Sequence, residues 1–309
     1  MTAAPTTRLA RPPVGDLWLL AVAVLAISTS GPLIAACTAP ALAIAFWRTI
    51  LGSGATAGVV ALRHRAELRA LSRDQLRLIA LAGVFLGAHF ATWVPSLRFT
   101  TVASSTALVA TQPVWAALIA RRRGVQIDRV AWIGIGISLV GVLVLTGIDF
   151  ALTPRALIGD ALALAGAVLA ALYVTVGEQV RSTTSNPVYT MFCYGVAGVF
   201  LLGLVILLRV PLLGFSTRDW VLILAITLGA QLLGHSVVNR VLATTSATVV
   251  SLAILLEMPG STVIAAAWLG QVPSPMVIPA VVLLFIGIAV VISTTTRAES
   301  PEPSETPPA

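Results

Sequence analysis

Apolar residues run along this chain in ten windows, at approximately 17–36, 40–62, 77–96, 100–120, 129–147, 157–178, 187–208, 219–239, 244–268 and 274–293. A helix rises 1.5 Å per residue, so about 20 apolar residues cross the hydrocarbon core of a bilayer. Several windows are separated by very short polar breaks, which makes sequential helices antiparallel neighbours. The pattern predicts an all-α membrane protein with ten transmembrane helices.

The windows also repeat. At a displacement of 146 residues, Gly83 falls on Gly229, His89 on His235, Ser105 on Ser251, Pro113 on Pro259 and Gly141 on Gly287. The first windows match at a displacement of 144, with Gly15-Asp16 on Gly159-Asp160. Each half holds five windows, and an odd number of spans turns the second half over in the bilayer. Inverted repeats of this kind are a common construction of secondary transporters. The expected organisation is a tail at 1–16, a first repeat at 17–147, a second at 157–293 and a disordered tail at 294–309.

Composition fits a lipid solvent: of 309 residues, 58% are hydrophobic and 10% charged, with a mean hydropathy of +0.98. Lysine is absent and the nineteen arginines fall mostly in the polar breaks. Arginine in short loops stays on the cytoplasmic side. With the N-terminus inside, fourteen arginines lie in cytoplasmic segments, four outside, and Arg48 within a span. The breaks after the second and fourth helices carry five and four arginines, and their repeat equivalents carry two and none, as inversion requires. Both termini are therefore expected in the cytoplasm, the N-terminal segment being a tail and not a signal peptide. The arginines form no stripe interleaved with aromatics, so no nucleic-acid partner is expected. Cys37 and Cys193 are too few for a disulfide framework or a metal cluster.

An ionisable group at bilayer depth costs roughly 2.5–3.5 kcal/mol on insertion scales, so each is a functional candidate. Glu257 falls mid-span in the ninth window and Arg48 in the second. Glu257 reads either as a neutral acid or ion pair that fixes packing, or as a group that contacts substrate and carries a proton. Arg48 reads as its structural partner or as an anion site. His89 and His235 occupy equivalent repeat positions, with Trp93 and Asn239 four residues on, on the same helical faces. They read as hydrogen-bonded core residues or as matching cavity walls, with no metal ligand set among them. Thr111 is the repeat equivalent of Glu257, and Gln112 follows it, so a site symmetric in position is not symmetric in charge. Tyr173 and Trp115 add aromatic surface. Pro113 and Pro259 each remove a backbone donor within a span and predict a kink or hinge. Gly83-x-x-x-Gly87 and the run Gly134, Gly136, Gly141 predict close helix packing.

These residues carry a pattern that resembles the ten-helix EamA-type members of the drug/metabolite transporter superfamily, over nearly all of 15–293. FWRTIL is similar to the second helix of that family, HFATWVPSLRFTTVASSTALVATQPVWAALI to the third and fourth, and QLLGHSVVNRVLATTSATVVSLAILLE to the eighth and ninth. The resemblance implies two inverted five-helix repeats and a central cavity lined chiefly by the third, fourth, eighth and ninth helices. It also implies export or exchange of small metabolites. Two departures stand out. The family often has Glu-Pro where this chain has Glu257-Met258-Pro259, and Gly-Glu where it has Gly270-Gln271, so any role of that second carboxylate does not carry over.

The expected function is secondary active transport of small metabolites or drugs across the cell membrane by alternating access. Export or exchange comes first, and proton coupling through Glu257 is the leading coupling. A passive facilitator or channel is the alternative. A membrane-embedded enzyme would need paired carboxylates, a Ser/His arrangement or a metal set, which the sequence does not supply. No cofactor is expected, and the partners are a small-molecule substrate, the lipid bilayer and protons. The chain is expected to act as a monomer or weak homodimer.

Overall fold

The computed structural model describes residues 12–96, 98–100, 102–146, 153–269 and 275–294. The fold is all helical. Residues 1–11 and 295–309 of the tails, with the arginines at 8, 11 and 297, and the Gly270-Gln271 pair lie outside the described residues, while α1 takes in the end of the expected N-terminal tail from Val14.

In the first half the elements are α1 (Val14–Ser28), α2 (Ser30–Ala36), α3 (Ala41–Arg63), the short α4 (Arg65–Ala70), α5 (Arg73–Ser96), α6 (Val102–Val109), α7 (Gln112–Arg122) and α8 (Arg129–Thr146). The second half comprises α9 (Pro154–Arg181), α10 (Asn186–Leu207), α11 (Thr217–Ile226), a π-helical segment (Thr227–His235), α12 (Ser236–Val241), α13 (Ala247–Ile254), α14 (Glu257–Leu269) and α15 (Val277–Ser293). Seven stretches among the described residues are long and apolar enough to cross a membrane. Two of the expected windows appear as shorter apolar helices, Arg129–Val144 and Val277–Ser293. The window expected at 100–120 is the interrupted pair α6 and α7.

The interruptions follow the prolines. Pro113 and Pro259 cannot donate to the preceding turn, and both spans lose their α-helical course just before them, between Val109 and Gln112 and between Ile254 and Glu257. Where a kink is expected, the structure has two discontinuous helices. α1 and α2 break likewise at Thr29, three residues before Pro32.

The core is built between the halves: α3 and α5 pack against α10, α5 against α9, and α8 against α15. Glycines set the closest approaches. A Cβ on Gly83 would lie 2.7 Å from the Cys193 carbonyl oxygen, and one on Gly134 the same distance from that of Gly287. Gly87 and Gly141 also face helices of the other half, whereas Gly136 has open space around it.

Hydrogen bonds tie the loops of the two halves at both ends. At the arginine-rich end, Ser185 N–H donates to Glu67 Oε1 at 2.7 Å and Arg123 Nη2 to Gln179 Oε1 at 3.0 Å. There too, Gln75 Nε2 donates to the hydroxyls of Thr183 and Thr184, and Thr244 and Thr245 bond Asp16. At the opposite end Asp219 accepts from Thr38 N–H at 2.8 Å and Oγ1 at 2.7 Å, Thr100 Oγ1 donates to Asp160 at 2.7 Å, and Trp47 Nε1 donates to the Leu212 carbonyl at 2.8 Å.

Candidate functional site

A cavity of about 70 Å³ lies between the halves. That is well above the roughly 10–15 Å³ a cavity needs to hold one water. Its walls include Val109 and Gln112, which flank the α6–α7 break, and Ile254 and Glu257, which flank the α13–α14 break. The prolines thus place two helix interruptions in the walls of one cavity. Discontinuous helices at the interface of inverted repeats are where transporters form their binding sites.

Arg48, His89, Trp93, Gln112, Tyr173, His235 and Glu257 all line it. His89 and Trp93 stack with ring centroids 5.8 Å apart and planes 7° apart, as their spacing of four residues on α5 allows. His89 Nδ1 lies 2.9 Å from the Gly166 carbonyl oxygen. A carbonyl only accepts, so Nδ1 carries the proton, and in the neutral ring Nε2 is the acceptor. His235 meets the Phe90 ring edge-on at 5.8 Å, and Arg48 sits over the same ring at 4.6 Å. Gln112 Nε2 donates to Ser251 Oγ at 3.0 Å, joining α7 to α13.

Two expected site residues stand back from the cavity. Thr111 donates to the Leu108 carbonyl at 2.6 Å and accepts from Trp115 Nε1 at 3.1 Å, which completes the turn at the helix break. Asn239 is fully buried behind the wall, where its Oδ1 accepts from Tyr173 at 2.6 Å and so fixes the phenol.

Arg48 departs from expectation. Glu257 looked like its sole midmembrane partner, yet no salt bridge joins them within 4.0 Å among the described residues. Instead Arg48 Nε donates to Gln231 Oε1 at 2.9 Å and Nη1 to Ser30 Oγ at 3.3 Å. The Glu257 backbone is held separately, its carbonyl accepting from Ser28 at 3.2 Å. Gln231 lies within the π segment, where bonding five residues back widens the helix. The sequence suggests a carboxylate or helix-end carbonyls as partners of Arg48, and not Gln231, Ser30 and Phe90. The one available signal was Gln231 itself, an amide in an apolar run where the other repeat has Phe85.

The EamA-like transporter family model matches the chain twice, over residues 13–147 and 157–293. The chain belongs to this family. It is therefore a multi-pass membrane protein of the drug/metabolite transporter superfamily, whose EamA members are transporters. Among solved structures, one titled "Crystal structure of protein" is similar to this EamA-family chain with a TM-score of 0.76 at 18% identity. The match covers 93% of this chain and 99% of that one, and at that identity it speaks for the fold alone. No curated protein matches.

Proposed function

We propose that the chain is a secondary transporter that exports or exchanges a small polar metabolite, working by alternating access as the two halves rock around the cavity. The observation that carries this reading is that both helix breaks, Glu257 and Arg48 meet at one cavity between the repeats. Family membership supports transport. Glu257 serves as the proton-carrying group, because it is the one carboxyl among the residues that line the cavity. Pro113 and Pro259 act as the hinges.

The reading includes ten spans in the cell membrane with both termini cytoplasmic. Support comes from the loop hydrogen bonds, each of which joins segments that alternate crossing puts on one side, as with Glu67 and Ser185 or Thr38 and Asp219. Counterflow in proteoliposomes, with a panel of labelled metabolites and with or without a pH gradient, tests it. Exchange of at least one metabolite above protein-free liposomes is the expected result. No exchange under any gradient would overturn the reading.

A further inference from the structure

Arg48 is 1% exposed, and although its Nε and Nη1 are both hydrogen-bonded, its Nη2 has no acceptor among the described residues. Gln231 is in the same condition at 0% exposure: Oε1 accepts from Arg48, while Nε2 has no acceptor among the described residues. Buried polar groups nearly always find partners, and a buried charge is retained where something meets it. Here two unmatched N–H groups sit on side chains already joined to each other. Nε and Nη2 share one edge of the planar guanidinium, and the bond from Nε to Oε1 brings the Gln231 amide to that edge. Phe90 covers a face of the guanidinium and leaves its edges to polar partners.

We propose that the Arg48–Gln231 edge receives a carboxylate of the transported solute, one oxygen accepting from Arg48 Nη2 and the other from Gln231 Nε2. Arg48 lines the cavity, so a solute held there presents its carboxylate to the wall and the rest of itself to the stacked His89 and Trp93. The charge balance selects the ligand class. One guanidinium and one neutral amide match a monoanion, whereas a phosphate dianion brings a second negative charge into a space that already holds the Glu257 carboxyl. That the carboxylate is transported rests on the function proposed above; that it binds does not.

The test uses the full chain in detergent, with thermal unfolding followed at constant ionic strength. The probes are propionate and L-alanine, their amides propionamide and L-alaninamide, and methyl phosphate. Both carboxylates are expected to raise the midpoint, and the amides and methyl phosphate to leave it unchanged. In Gln231→Met, which retains the guanidinium, apparent affinity for the carboxylates should fall about tenfold, the loss of one charge-assisted hydrogen bond. Gln231→Glu places an internal carboxylate on Arg48, so its midpoint should exceed wild type without ligand and no longer respond to carboxylates. A merely structural role for Gln231 does not predict that pairing. Equal responses to carboxylates and amides, a stronger response to methyl phosphate, or an unchanged carboxylate response in both variants would overturn the assignment. Carboxylate binding without counterflow in proteoliposomes sinks the transporter reading alone, and counterflow indifferent to the carboxylate sinks this assignment alone.

Discussion

Replacing Glu257 by glutamine keeps the shape of the side chain and removes its ability to exchange a proton. Glu257 is the one carboxyl among the residues lining the cavity, so each turn of the cycle can move one proton through it. A difference of one pH unit across the membrane is worth about 1.4 kcal/mol per proton. With one proton exchanged per solute, that gradient sustains about a tenfold concentration ratio of solute. The assay is proteoliposome uptake of a metabolite that wild type exchanges, with the membrane potential clamped by potassium and valinomycin. Wild type should concentrate the metabolite about tenfold per pH unit, and Glu257→Gln should equilibrate it without accumulation while retaining counterflow. A variant that still accumulates tenfold would refute Glu257 as the carrier, and a wild-type ratio near a hundredfold would refute the count of one proton.

Gly134→Val drives side-chain atoms into the Gly287 carbonyl, and overpacking of this kind costs about 1–3 kcal/mol. Two residues on, Gly136→Ala meets nothing within 4 Å and should be neutral or mildly stabilising; unfolding in detergent ranks the two, and the reverse order refutes the packing described. Burial tends to raise the Glu67 carboxyl, but hydrogen bonds from Ser185 and His64 outweigh it and hold it below its ordinary value. A carboxyl lowered in the fold gives stability that is present above the unfolded value and lost as pH falls through the folded one. Glu67→Gln should therefore unfold earlier than wild type at neutral pH and converge with it in acid, and a constant difference across pH would contradict the tie. In the loop between α2 and α3, burial first, with Asp219 beside it, pushes the Cys37 thiol up to about 11. Thiolate is the reactive form, so Cys37 should alkylate slowly at pH 8 and faster toward pH 11, read by mass spectrometry; rapid labelling at pH 8 would refute its burial.

Much of the site was legible because it depends on local rules. A spacing of four residues on a helix stacks Trp93 on His89, and proline cannot donate to the turn before it, so the breaks near 111 and 256 follow from Pro113 and Pro259. The repeat itself sets Thr111 against Glu257. The rest depends on distance in sequence and on backbone form. Arg48 and Gln231 are separated by 183 residues, and a π segment has no residue signature that distinguishes it from an α-helix. Asn239 aligns with Trp93 in the repeat yet stands behind the cavity wall, where it bonds Tyr173. Thr111 shares the position of Glu257, but a hydroxyl beside a helix break bonds the nearby Leu108 carbonyl and does not reach the cavity.

Under the alternating access proposed above, the ties between halves at the two ends set a tunable resting state. Each hydrogen bond contributes about 0.5–1.5 kcal/mol net, so a cluster of three is worth about 1.5–4.5 kcal/mol, enough to move a two-state population by roughly tenfold to a thousandfold. In that proposed cycle, opening at one end breaks the bonds there and spares those at the other. Substituting Thr38 and Thr100 loosens the Asp219 and Asp160 end, and substituting Gln75 and Asp16 loosens the arginine-rich end. Two matched sets of surface variants, neither touching the cavity, therefore become handles for trapping opposite-facing forms of one transporter with its binding chemistry left intact.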